Sequence, residues 1–378
     1  MTIGCVKEIK RHEYRVGLTP DSVRAYVAHG HRVLVEAGAG IDAGYEDEEY
    51  RGAGANLYQD PAAIYAESEM IQKVKEPQES EYPLMRPGQI IFTYLHLAAD
   101  RKLTEAMLER RVKGVAYETI EPGDGSLPLL RPMSEIAGRM SIQVGARFLE
   151  RPQGGRGVLL GGVPSVEKGS VTVIGGGVVG TNAAKMAVGL GAKVTVLDIN
   201  IDRLEYLDDM FLGRVNTLYA NRAHLESSLA ESDLVVGAVL IHGARAPHLV
   251  TRQDLALMKK GSVIVDVAID QGGCIETARP TTHDDPVYVV DDVVHYCVTN
   301  MPGGVSRTAT QALTTVTLNF GLYLADHGVE EAARIAPAVA RGINVLDGAL
   351  TYKAVADAFE LDYTPLAELI PGAGERRG

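Results

Sequence analysis

Cysteine is scarce and concentrated positive charge is absent, and each shortage closes off a class of function. The three cysteines, Cys5, Cys274 and Cys297, lie far apart in the chain. They form no metal-binding spacing, and an odd number of thiols suits a reducing compartment, so a cytoplasmic protein is expected. No apolar run approaches the roughly 18 residues that would mark a membrane span. The opening MTIGCVKEIKRHEYR is too polar for a signal peptide. The formal net charge is −12 and no dense Lys/Arg tract occurs, which argues against nucleic acid as a partner. Low-complexity segments and repeats of fixed period are also missing.

What is present is a chain of 378 residues, longer than one hydrophobic core usually serves, so two domains are expected. Its 41 glycines and 17 prolines suit the many turns of a fold that alternates strands and helices. Strands are expected at 2–7, 32–36, 69–74, 89–95 and 112–117, with helical patterns around 60–67 and 100–110 between them. Thr19 as N-cap, Pro20 at the first helical position and Asp21 in the first turn mark a further helix start. A long helix is expected at 133–150, followed by a glycine-rich connector. A second alternating unit then has strands at 171–174, 193–197, 234–239, 263–269 and 287–290. Another long helix is expected from 306 to 326. The tail from 329 to 370 reads as helical and packs back on the first domain. That gives a discontinuous substrate domain, 1–130 plus 306–378, around a nucleotide-binding domain, 131–305. The acidic run YEDEEY (45–50) reads as a solvated loop.

The strongest motif is VTVIGGGVVGTNAAKMAVGLGAKVTVLDIN. Gly175, Gly177 and Gly180 follow a strand and open a small-residue helix. The first permits a tight turn, the second lets backbone approach a pyrophosphate, and the third allows close helix–strand packing. Phosphates are favoured at the helix N-terminus by free N–H groups and the helix dipole. Asp198 ends the next strand at the spacing expected for a carboxylate on the ribose hydroxyls, and it repels a 2′-phosphate. NAD is therefore expected rather than NADP. Asp270 follows the strand at 263–269, where ligands bind in open parallel sheets, although Asp-Gln-Gly-Gly also reads as an ordinary turn.

Three groups of the first domain share a placement. Arg15 lies between the first strand and the capped helix, Lys75 closes MIQKVKEP, and His96 closes QIIFTYLH. A parallel sheet gathers such strand ends on one edge. Arginine clamps a carboxylate with two hydrogen bonds, lysine polarises a carbonyl, and histidine moves protons near neutral pH. In an extended MIQKVKEP, Lys73 would share a face with Lys75.

KEIKRHEYRVGLTP, MIQKVKEP, YLHLAAD, IGGGVVGTNAAKMAVGLGAKVTVLD, VIVDVAIDQGG and HYCVTNMPGGVSRTAT together resemble the bacterial alanine dehydrogenase family, from about residue 1 to 370. The saccharopine dehydrogenases and the soluble NAD(H)-binding part of transhydrogenase share the fold but fewer motifs. The resemblance implies an α/β protein with two Rossmann-like parallel-sheet domains, separated by a cleft and joined by long helices. It implies reversible NAD-dependent deamination of L-alanine to pyruvate and ammonium. By that resemblance, Arg15 binds the substrate carboxylate and Lys75 its carbonyl or amine region. His96 is the acid/base, and Asp270 assists at the reacting centre. Cofactor contacts would fall on Ser134, Val178, Val179, Asp198, Arg203, Val239, Leu240, Val267, Ala268, Ile269 and Arg279, and on Val298, Thr299, Asn300 and Met301.

Ala220 stands where family members often carry a hydroxyl near the adenine, which puts one contact in question. Some members bind a divalent ion near the end of the long C-terminal helix. His327 is there, but Tyr323 is a poor ligand, so no metal is expected. The family is commonly hexameric, which implies a homo-oligomer. Only Lys75 matches the family's substrate lysine; Lys73 reads as a neighbour that packs its stem or tunes the local charge. Loss of Lys73 is expected to leave a folded, active enzyme. The competing readings are a non-catalytic transhydrogenase component and an inactive dehydrogenase fold. Arg15, Lys75, His96 and Asp270 together favour the enzyme.

Overall fold

A computed structural model of the chain describes residues 1–239 and 247–374. The chain divides into two compact units, one formed by Met1–Met133 with the chain from Gly303 onward, the other by Ser134–Pro302.

In the first unit the strands are β1 (Thr2–Cys5), β2 (Arg32–Glu36), β3 (Asn56–Tyr58), β4 (Met70–Gln72), β5 (Ile90–Thr93) and β6 (Lys113–Ala116). All six pair in parallel. Helices α1 (Pro20–Ala28), α2 (Asp47–Gly52), α3 (Pro61–Glu67) and α4 (Arg101–Glu109) alternate with them. The start of α1 follows the local chemistry: Thr19 Oγ1 accepts from the Ser22 N–H, Pro20 fills the first turn and Asp21 favours the positive end. Strands β4 and β5 are buried along their whole length, which explains their unbroken apolar character. Ile91 and Phe92 are fully buried, a gain of about 1.5–3 kcal/mol each. The acidic run at 45–50 is not a loop. Glu46 caps α2 and Glu49 returns the bond, a box that satisfies the first N–H groups.

The second unit holds α5 (Arg131–Phe148), which begins at the boundary. Its strands are β7 (Ser170–Ile174), β8 (Lys193–Asp198), β9 (Asn216–Tyr219), β10 (Leu234–Gly237), β11 (Val263–Asp266), β12 (Val287–Val290) and β13 (Val293–Tyr296). Helices α6 (Val178–Gly189), α7 (Ile201–Phe211) and α8 (Arg222–Glu231) connect the early strands. The sheet order β12-β13-β11-β10-β7-β8-β9 reverses direction between β7 and β10, and that switch point is where ligands bind in such sheets. One expected boundary fails here, and one expected strand gains an antiparallel partner. The strand expected at 263–269 stops at Asp266, because the Asp266 side chain accepts from the Ala268 N–H and turns residues 267–271 into a 3-10 coil. Strand β12 runs antiparallel to β13. Asp291 and Asp292 both adopt positive φ between them, a two-residue hairpin too short for a parallel crossover.

The chain returns to the first unit through α9 (Ser306–Ile335), which Gly328 interrupts at φ 75°. The tail is not all helical: β14 (Ile343–Leu346) and β15 (Ala349–Leu350) extend the first sheet. Its order is β15-β14-β6-β5-β4-β1-β2-β3, with β14 antiparallel to β6. Asp347 and Gly348, at φ 51° and 98°, make the hairpin between them. Each unit has its own apolar cluster, around Ile71, Ile91 and Met107 in the first and Val235, Ile264 and Leu229 in the second.

Candidate active site

In the first unit, the chain leaving β1, β4 and β5 carries Arg15, Lys75 and His96. Arg15 is buried, and Glu13 forks onto it: Nε to Oε1 is 2.6 Å and Nη2 to Oε2 is 2.5 Å. Nη1 lies 3.0 Å from the Met133 sulfur. Burial works against the Arg15 charge, but Glu13 outweighs it and holds the guanidinium above its ordinary value. The Val16 N–H donates to Thr310 Oγ1 of α9, which pins the far side of this loop.

Lys75 is partly buried, and burial followed by the Arg15 charge pushes its pKa down. Its backbone is fixed on both sides. Glu8 Oε1 accepts from the Val74 N–H at 2.6 Å and the Lys75 N–H at 3.3 Å, and Thr93 Oγ1 donates to the Lys75 carbonyl at 2.9 Å. The chain bends at 74–75, so Lys73 and Lys75 meet different partners. Lys73 is fully buried between Glu81 at 2.8 Å and Glu8 at 3.4 Å. Its removal would leave two buried carboxylates without a cation. The geometry therefore argues against the expectation that Lys73 is dispensable.

His96 sits in the left-handed region, φ 47° and ψ 37°. Glu118 stabilises that turn by accepting from the Leu95 and His96 N–H groups, the latter at 2.5 Å, and its Oε1 is 4.0 Å from His96 Nδ1. The imidazole stacks on Tyr94, centroids 5.8 Å apart and planes within 9°. Tyr94 is itself anchored through its hydroxyl to the Leu129 carbonyl at 2.5 Å. The His96 side chain is 45% exposed, so it can exchange protons with water.

In the second unit the glycines act as their spacing requires. A Cβ on Gly180 would lie 1.8 Å from the Gly175 carbonyl oxygen, and Gly175 holds φ +101°. Among the described residues, a Cβ on Gly177 would meet nothing within 4 Å, and no side chain caps the start of α6. The exposed N-terminus of α6 thus has room for an anion. Asp198 ends β8, with Oδ2 accepting from the Gly176 N–H at 2.6 Å and Oδ1 from Asn200 at 2.8 Å. Arg203 braces the same turn from Nε to the Gly176 carbonyl at 2.6 Å and lies over the Tyr206 ring. Val178 is exposed and Val179 buried, so Val179 can offer a ligand only its backbone. Ser134 lies one helical turn before Gly138, whose close approach to the Val179 carbonyl leaves no room for a Cβ.

Val239 borders Gly175, while Leu240 lies outside the described residues. Ala220 follows β9, and its N–H donates to the Asp198 carbonyl at 2.9 Å. Val267, Ala268 and Ile269 form the turn after β11, with the last two buried, and Asp270 projects from it exposed. The turn hangs on Asp266, whose buried carboxylate accepts from Ala268, Cys274 and Ile275; burial pushes its pKa up to about 6. Arg279 stacks on Tyr288 at 4.1 Å. Val298 pairs with Thr281, the Thr299 N–H donates to the Thr281 carbonyl, and Asn300 takes a left-handed φ of 58° before the buried Met301. Tyr323 and His327 touch on α9 at 5.9 Å, and no trio of His, Cys, Asp or Glu among the described residues is arranged to hold a metal.

Sequence reasoning missed the carboxylates behind this arrangement. Glu8, Glu13, Glu118 and Asp266 hold the segments of Lys75, Arg15, His96 and Asp270 respectively. The only signal was proximity in the chain, as in Glu13 two residues before Arg15.

Residues 4–137 match the alanine dehydrogenase/PNT N-terminal domain, and residues 141–353 match the C-terminal domain. An alanine dehydrogenase of Halomonas elongata is 56% identical over 98% of this chain and 100% of its own length. One from Methanococcus maripaludis is 54% identical over 97% and 98%. A solved L-alanine dehydrogenase superimposes with a TM-score of 0.93 at 54% identity, covering 95% of this chain and 99% of that one. The transhydrogenase of Sinorhizobium meliloti follows with a TM-score of 0.81 at 26% identity, covering 94% and 100%. With both domain models matched in order and relatives this similar end to end, the chain belongs to the alanine dehydrogenase/PNT family.

Proposed function

We propose that the chain catalyses L-alanine + NAD⁺ + H₂O ⇌ pyruvate + NH₄⁺ + NADH + H⁺, with Arg15 and Lys75 binding the substrate and His96 moving its protons. The observation that carries this assignment of roles is the gathering of Arg15, Lys75 and His96 on the segments that leave three neighbouring parallel strands. The glycine turn, the open N-terminus of α6 and Asp198 would hold NAD, which when bound would supply the acceptor for the hydride of the substrate Cα. Arg15, already planar and fixed by Glu13, fastens the substrate carboxylate. Lys75 stands at the amine or carbonyl group, and its lowered pKa eases proton exchange there. After hydride loss, water adds to the imine carbon. Ammonia then leaves only if its nitrogen gains a proton and the new oxygen loses one, and His96 carries those protons. Asp270, on the exposed turn after β11, is the second acid/base. Lys75 also stabilises the charge that develops on the oxygen.

The remaining cofactor contacts are Ser134, Val178, Val179, Arg203, Val239, Leu240, Val267, Ala268, Ile269, Arg279, Val298, Thr299, Asn300 and Met301. The enzyme works in the cytoplasm as a homo-oligomer, a hexamer. Absorbance of NADH with L-alanine and NAD⁺ tests the activity; no turnover with alanine, glycine, serine or lysine would sink it. Sedimentation measures the subunit number.

A further inference from the structure

Lys73 is a fully buried ammonium that the proposed mechanism does not use. Its two carboxylate partners each hold one end of the loop that carries Lys75. Glu8 Oε1 accepts from the Val74 and Lys75 N–H groups where the loop begins, at 2.6 and 3.3 Å. Glu81 Oε2 accepts from the Gln78 N–H where it ends, at 2.7 Å, and Tyr65 donates its hydroxyl to Oε1 at 3.1 Å. Lys73 joins the two, at 3.4 Å from Glu8 Oε2 and 2.8 Å from Glu81 Oε1. Its own backbone is locked by the Tyr117 hydroxyl on its carbonyl and by its N–H on the Phe92 carbonyl. Glu8 also lies on the segment that runs from β1 to Arg15. The bridge therefore ties the loops of both proposed substrate cations together.

As a stability device this arrangement is poor. A buried ion triad is often matched or bettered by apolar residues of the same volume, whereas losing one member is costly. What charged, hydrogen-bonded bridges supply and apolar packing does not is fixed direction. We propose that Glu8, Lys73 and Glu81 form a positioning bridge that sets where Lys75 stands relative to Arg15. The proposal rests on the reading of Lys75 as a substrate contact.

The test removes the charges and keeps the shapes: Lys73→Met, Glu8→Gln and Glu81→Gln combined, with Glu8→Gln alone as a gentler second variant. Lys73→Arg tests rescue, and Lys75→Ala is the control. Each variant is assayed for KM and kcat with pyruvate and L-alanine, for KM with NADH, and for melting. The acylation rate of the Lys75 amine is read by peptide mass spectrometry against an exposed lysine such as Lys193. A displaced Lys75 raises KM for pyruvate and L-alanine about tenfold or more, because small misplacements at a reacting centre are expensive. KM for NADH stays unchanged, the Lys75 acylation rate shifts, and Lys73→Arg recovers part of the loss. If the triple variant fails to fold, Glu8→Gln, equal in volume, gives the same readouts. A folded variant with normal KM for both substrates and normal Lys75 acylation, beside an inactive Lys75→Ala, overturns the proposal. Normal turnover by Lys75→Ala overturns instead the reading of Lys75 on which it rests.

Discussion

Glu13 and Arg15 form a forked ion pair with both side chains buried, Nε–Oε1 at 2.6 Å and Nη2–Oε2 at 2.5 Å. One edge of the guanidinium plane is thereby committed to the protein itself, so the group has a fixed plane before any substrate arrives. Removing the carboxylate would take a doubly hydrogen-bonded counter-charge from a buried cation, a loss of about 3 kcal/mol. Glu13→Ala is therefore expected to lower the melting temperature strongly and raise KM for pyruvate. Glu13→Gln, which keeps one acceptor oxygen, falls between it and the parent. Thermal melts and steady-state kinetics at the same pH check the ranking; equal melting temperatures for Glu13→Ala and the parent would refute it.

Lys75 should cost the fold stability. Its pKa is depressed, chiefly by burial, so protonation is harder in the folded chain than in the unfolded one. The penalty is complete below the depressed folded value and is relieved as pH rises from there toward the ordinary lysine value of 10.5. Lys75→Met is expected to lose nearly all activity while melting higher than the parent at neutral pH, by a few degrees (about 1 kcal/mol). The difference should shrink toward pH 10. A lower melting temperature for the variant at neutral pH would show that Lys75 is instead stabilised where it stands.

The two glycines at the mouth of α6 should fail differently when replaced by alanine. A Cβ on Gly180 runs into the Gly175 carbonyl at 1.8 Å, so Gly180→Ala must push the turn apart. Both stability, by about 1–3 kcal/mol, and NADH affinity should drop. A Cβ on Gly177 touches no atom of the described residues within 4 Å, but it stands where a pyrophosphate would approach. Gly177→Ala is expected to melt like the parent and bind NADH weakly. Fluorescence titration with NADH beside a thermal melt separates the two outcomes.

Asp198 lies at the end of β8 with both carboxylate oxygens engaged by the glycine turn and its own loop. Charge-assisted hydrogen bonds are worth about 1.5–3 kcal/mol each. Asp198→Ala should therefore raise KM for NAD⁺ about ten- to a hundredfold. The same change removes a charge that repels a 2′-phosphate, so the preference for NAD⁺ over NADP⁺ should narrow. Parallel assays with both dinucleotides measure it, and an unchanged ratio would argue against ribose recognition by this residue.

The alternation of strands and helices was legible because buried parallel strands read as unbroken apolar runs, as QIIFTYL does around β5. The start of α1 was legible because Thr19-Pro20-Asp21 is local chemistry. The hairpin of β14 and β15 escaped a helical reading of the tail, although Asp347-Gly348 between INVL and AL is a hairpin signal. Strand β12 was expected at 287–290, but its partner β13 escaped for a related reason, since Asp291-Asp292 is an unusual pair for a two-residue turn. Within the site, Arg15, Lys75 and His96 could be placed from strand ends. Their supporting carboxylates could not, because a buried glutamate and a solvated one are the same letter until the fold brings a backbone N–H or an ammonium to meet it. Lys73 shows the limit: two residues from Lys75 and identical in type, it is enclosed where Lys75 is not.

The pairing of β14 with β6, Ile343 opposite Val115, also orders events during synthesis. Every residue of the nucleotide-binding unit leaves the ribosome before the strand that covers the edge of β6 exists. Until then the nascent first unit carries an open, apolar strand edge, the kind of surface that recruits other chains. A ribosome that stalls before residue 343 would therefore release a chain whose second half is ready to fold and whose first half is prone to aggregate.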